Sequence, residues 1–166
     1  MTEMVQDRSS RFRLFTRVGF WASSVIGLLL PWAIILAVDK TVRHIPFAQA
    51  WRSFTLHLFA PGYNLFLIGV LTAVPFVILS VVILLHLGTA SIQDPLIANR
   101  RTLGLACAWL GMLALAGWTH IAVLLHPDAQ GALAYVFLPI TLLLLLPIGY
   151  AVGRLAAKLL MPPRSP

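Results

Sequence analysis

Hydrophobic and polar positions fall into long blocks along this chain. Four apolar runs, residues 18–38, 65–87, 103–125 and 132–152, are each about 21–23 residues long and contain no Asp, Glu, Lys or Arg. An α-helix rises 1.5 Å per residue, so each run is long enough to cross the ~30 Å hydrocarbon core of a bilayer with some tilt. The pattern predicts an all-α fold, an integral membrane bundle of four transmembrane helices in up-down order. The first run is too long for the apolar region of a cleaved signal peptide and no A-x-A site follows it, so it reads as a retained anchor.

Between the first two runs the polar pattern changes period. Over residues 46–60, Phe47, Ala50, Trp51, Phe54 and Leu58 share one helical face, and Gln49, Arg52, Ser53 and His57 lie largely on the other. Pro46 suits a helix start and Pro61-Gly62 a stop, so an amphipathic helix is predicted in the first outer loop. Such a helix either lies in the interface with its aromatic face toward lipid or caps the bundle over a cavity; interfacial packing is the expectation. The loop at 126–131 is so short that the third and fourth runs must be antiparallel neighbours.

Charge orients the spans. With the N-terminus inside, the cytoplasmic set is Arg8, Arg11, Arg13, Arg17, Arg100, Arg101, Arg154, Lys158 and Arg164, against Lys40, Arg43 and Arg52 outside. That bias places both termini in the cytoplasm of a cell (inner) membrane. Residues 1–17 form a basic segment on the inner leaflet or a basic tail, residues 18–160 the transmembrane domain, and residues 161–166 a cytoplasmic tail. Trp21 and Tyr150 fall near the inner interface and Trp118, Tyr63 and Tyr135 near the outer one. Trp32 and Trp109 lie deeper, where helix packing is expected.

Composition agrees with this picture. The 166 residues are 60% hydrophobic and 10% charged, far below the ~25% charged content of soluble domains. The net charge of +7 sits at the ends of apolar runs and forms no aromatic-interleaved patch, so no nucleic-acid partner is expected. Cys107, the single cysteine, excludes an internal disulfide and multi-thiolate metal sites.

Small residues recur every four positions in two runs: Gly19, Ser23 and Gly27 in the first, and Gly149, Gly153 and Ala157 at the end of the fourth. Each ladder makes a flat face suited to close helix packing. Contact between the first and fourth spans is expected, and a face for a partner or second copy is the alternative. Pro31, Pro75 and Pro139 each free a carbonyl one turn earlier, and together they could open an outward vestibule.

Candidate chemistry is sparse. His44, His57, His120 and His126 all map to the outer side, with Asp39 and Asp128 nearby. They are candidate metal ligands, but no H-x-x-x-H or H-E-x-x-H spacing links them, and no metal or other cofactor is assigned. His86 and His120 lie near opposite surfaces, which argues against bis-histidine haem. In length, four-span layout and outward acids the chain is similar to the lipoprotein signal peptidases. Those enzymes carry their aspartates in motifs with asparagine, glycine and arginine. Asp39 in Val-Asp-Lys and Asp128 in Pro-Asp-Ala match neither motif, so the likeness is architectural and no protease site is assigned. Asp39 is expected to pair with Lys40 or Arg43, and Asp128 to cap the fourth span. Thr72, Ser80, Thr119 and Thr141 can bond to their own preceding turns.

No ionisable acid or strong base lies inside the apolar runs, as most ion-coupled transporters require. The resulting expectation is a non-catalytic subunit or accessory factor of a larger membrane complex, touching the lipid bilayer and a membrane-protein partner or a second copy. The alternatives are a small transporter or lipid-handling protein with an outward-facing vestibule, and an outward-facing metal or haem protein.

Overall fold

The computed structural model describes residues 2–61, 64–90, 95–126 and 131–160, except for the side chains of 2–13, 15, 16, 88–90, 95 and 132. Gly62, Tyr63, Asp94, Asp128 and Arg164 lie outside the described residues. The described residues form five helices and no strand: α1 Thr2–Thr41, α2 Phe47–His57, α3 Leu65–Ala90, α4 Pro95–Leu125 and α5 Gly131–Leu160. Four of them contain stretches long and apolar enough to cross a membrane, at Arg17–Thr41, Leu65–Leu87, Leu96–Leu125 and Leu133–Leu160. Apolar side chains such as Val74, Val81, Leu110, Leu144 and Leu155 stay exposed on their outer faces, a surface suited to lipid and not to water.

The helices outrun the apolar runs. Residues 2–17 continue α1 without a break, because no Gly or Pro interrupts them. Helix α3 runs on to Ala90 and α4 begins at Pro95, both beyond their apolar runs. Pro95 opens α4 at a position where its missing N–H costs nothing, and Arg100 and Arg101 belong to that helix.

Two close helix pairs build the bundle: α1 packs on α3, and α4 on α5, with lighter contacts between the pairs. The α4–α5 pairing follows from their short connection. The ladders of the first and fourth spans do not meet each other as expected. The α1 ladder meets α3: a Cβ on Gly27 would fall 2.6 Å from Phe76 Cβ, and one on Gly19 lies 3.8 Å from Ile83 Cγ2. The α5 ladder meets α4: a Cβ on Gly149 would stand 2.7 Å from Ala108 Cα, and one on Gly153 2.8 Å from both Gly104 Cα and Cys107 Cβ. Ser23 and Ala157 are buried on the same faces. The reason is shape. Gly104 and Ala108, one turn apart on α4, form the hollow that Gly149 and Gly153 fit, while the bulky Phe76 needs the bare backbone of Gly27.

Phe76, Leu79, Ile83, Leu105, Met112, Leu138 and Leu142 fill the space between the pairs. The serine and threonine hydroxyls in this region are matched, whereas the buried Trp109 Nε1 has no hydrogen-bond partner among the described residues. Ser24 Oγ and Ser80 Oγ lie 2.9 Å apart, and Ser80 Oγ reaches its own Phe76 carbonyl at 2.8 Å. Thr119 and Thr141 donate to preceding-turn carbonyls as expected. Thr72 faces another helix, as described below.

Two outcomes follow from the pairing. In a Cys107→Ala background, Gly19→Cys with Ile83→Cys should crosslink on oxidation within one chain, while Ser23→Cys with Gly153→Cys should not. Gly149→Val should cost about 1–3 kcal/mol in a detergent unfolding titration, whereas Gly117→Ala, whose nearest neighbour is 4.0 Å away at Ile34 Cδ1, should be neutral or stabilising.

Candidate functional site

At the end of the bundle opposite the chain termini the helices leave room between them. A partly open cavity of about 750 Å³ lies there, walled by residues of all five helices. That volume is within the ~300–1,000 Å³ range of small-molecule sites. Its apolar wall includes Ile35 of α1, Phe54 of α2, Leu65, Ile68 and Leu71 of α3, and Val123 of α4; its polar residues are Asp39, Arg43, Ser53, His57, Asn64 and Tyr135.

Helix α2 closes one side of this space. Ala50 and Phe54 are buried while Phe47 and Trp51 are exposed and stack on each other with ring centroids 6.3 Å apart. The aromatic face expected to turn to lipid is therefore split: its Ala50–Phe54 side turns into the bundle, and the helix caps a cavity. Trp32 explains why. Its ring covers Gly69, where a Cβ would stand 3.0 Å from Nε1; its N–H donates to the Leu65 carbonyl at 2.9 Å; and Phe54 meets it edge-on at 6.0 Å. A bulkier residue at 69 would push Trp32 away and remove the seat of Phe54.

Charge at the mouth is arranged around Asp39, which is buried. Arg43 Nη1 donates to Asp39 Oδ1 at 2.8 Å, and Nη2 donates to the Leu124 carbonyl at 2.9 Å. One guanidinium thus neutralises the acid, satisfies an end carbonyl of α4, and ties the end of α1 to it. The pairing also offsets the poor placement of an acid at a helix C-terminus, where the backbone dipole is negative. The chain turns after α1 through His44, whose φ of 55° is left-handed, and the Ile45 N–H returns to the Asp39 carbonyl at 2.9 Å.

The histidines separate into different roles. His44 is exposed in that turn and His126 is exposed just past α4. His57 lines the cavity, its Nδ1 2.8 Å from the Ser53 carbonyl. His120 is buried one layer deeper, with Nε2 3.3 Å from Thr72 Oγ1 and its ring against Tyr135 at 5.3 Å. Among the described residues no three His, Cys, Asp or Glu side chains converge as a metal would require. Tyr135, read from sequence as part of an interfacial belt, is instead buried between His120 and the cavity.

No family model, curated protein or solved structure matches this chain. The site must be read from its own chemistry. Sequence reasoning reached Asp39, its partner Arg43, and His57. Asn64, an isolated amide before α3, carries no spacing signal, and Ser53 shows in the sequence only as part of the polar face of α2. The prolines bear on the cavity indirectly: Pro75 and Pro139 follow Leu71 and Tyr135, two of its wall residues, by one turn.

Removing Arg43 leaves a buried carboxylate and a carbonyl without their donor. Arg43→Ala should destabilise the protein by about 1–3 kcal/mol. Asp39→Asn combined with Arg43→Ala should cost less than the sum of the two single changes, as read from a double-mutant cycle of unfolding in detergent.

Proposed function

We propose that the protein is a non-catalytic, four-span membrane protein that holds a small amphiphile in the cavity beneath α2. The observation that carries this reading is the cavity itself, an apolar wall from Ile35 to Val123 ending in a mouth with an ion pair, an amide, an imidazole and hydroxyls. Apolar walls accept an acyl or similar chain, and a few convergent polar groups orient a head. The accessory-subunit expectation rests on the lack of a catalytic motif and on small-residue faces left over for a partner. Those faces are occupied within the chain, so its motive weakens and the lipid-handling alternative gains.

In this reading the helices lie in a cell membrane with both termini in the cytoplasm, following the arginine bias. The cavity then opens at the outer surface, where an amphiphile can enter from the leaflet or from a carrier. Arg43 and Asp39 stand at the mouth as head-group contacts, and α2 acts as the roof. The absence of charge in the apolar runs favours binding or passive handling over ion-coupled transport.

The test is the lipid content of the purified protein. Solvent extraction and mass spectrometry should find one amphiphile class enriched over bulk membrane lipid. Leu71→Trp, which places an indole in the cavity, should lose that enrichment by about tenfold while the protein stays folded, a change equivalent to roughly 1.4 kcal/mol. Equal lipid content in wild type and Leu71→Trp would contradict the proposal.

A further inference from the structure

The end of the bundle where α1 begins and α5 ends holds a second arrangement, unrelated to the cavity. Helices α4 and α5 meet at Gly104, and α3 joins them through His86. A Cβ there would stand 2.9 Å from the Tyr150 ring and 3.0 Å from Arg154 Cγ, so both α5 side chains lie directly on the α4 backbone. The Tyr150 ring also meets His86 of α3 edge-on at 5.6 Å, and Arg101 Nη1 donates to the His86 carbonyl at 3.2 Å. Arg154 and Arg101 are thus drawn to one junction of α3, α4 and α5. Arg154 Nη1 is buried and has no hydrogen-bond partner among the described residues.

Among the described side chains the charge there is all positive. Arg17, Arg100, Arg101, Arg154 and Lys158 all belong to this end, and Asp39, the one carboxylate among the described side chains, lies at the other. A buried guanidinium N–H without an acceptor is costly. Guanidinium pairs well with phosphate, through two parallel N–H donors. Basic pockets between helices at head-group depth suit that chemistry. We infer that the Arg101–Arg154 junction binds the phosphate of an anionic phospholipid in the leaflet at this end. The inference needs the helices to lie in a bilayer, but it does not depend on what the cavity holds.

Native mass spectrometry of the full chain in neutral detergent tests this, using added phosphatidylglycerol or phosphatidylcholine. Wild type should retain phosphatidylglycerol in preference, and Arg154→Gln should weaken that retention about five- to tenfold. Arg154→Lys, which keeps charge but loses the fork, should fall between them. Arg52→Gln, on α2 at the other end, should match wild type. If Arg154→Gln does not fold, Arg101→Gln decides, with the same direction of loss expected. No preference for phosphatidylglycerol in wild type, or full retention in the arginine variants, overturns the site. Inorganic phosphate displacing the lipid at equal concentration would also overturn it, by making the ligand a free anion.

Discussion

Helices inside a bilayer gain nothing from hiding apolar surface, since lipid is as apolar as leucine. They are held by close packing and by matched polar groups. For four helices long and apolar enough to cross a membrane, that constraint falls on a few glycines. Gly27 lets α1 come down on Phe76, and Gly149 and Gly153 let α5 lie on Gly104 and Ala108. These contacts fix two tight pairs. The remaining packing, by Leu79, Met112 and Leu142, fills the seam between the pairs.

Beyond the glycine contacts, toward the α2 end, the packing uses larger and more polar side chains. Trp32 spans from α1 to α3, His120 meets Thr72 and Tyr135, and Arg43 crosses from Asp39 to Leu124. Such long contacts hold helices without drawing their backbones together. The cavity is what remains between them, and α2, anchored by Phe54 against Trp32, covers it. Packing and the candidate site therefore have one origin: small residues where the helices touch, long ones where they part.

Much of this architecture is visible in the sequence. Four helices long and apolar enough to span a membrane follow from the uninterrupted runs, and α2 from its change of period. The ladders are visible too, but their partners are not. Periodicity shows which face of a helix is flat and says nothing of which neighbour fits it. The hollow on α4 is made by Gly104 and Ala108, too short a pattern to stand out, and the counterpart of Gly27 is a phenylalanine. The role of α2 was hidden for a similar reason. Phe47, Trp51 and Phe54 share a face by spacing, yet only Phe54 finds a pocket, supplied by Trp32 from another helix. At the site, the Asp39–Arg43 pair is readable as neighbours one turn apart, whereas Tyr135 and Asn64 enter the cavity through tertiary placement alone.

The account depends most on the helix pairs leaving a reachable space under α2, and thiol accessibility measures that directly. With Cys107 replaced by alanine, a cysteine at Leu71 in the cavity wall should react with a membrane-impermeant maleimide added from the α2 side. A cysteine at Met112, in the packed seam, should stay protected. Equal protection at the two positions would mean that the helices close over the whole length, and the cavity with its proposed ligand would have to be abandoned.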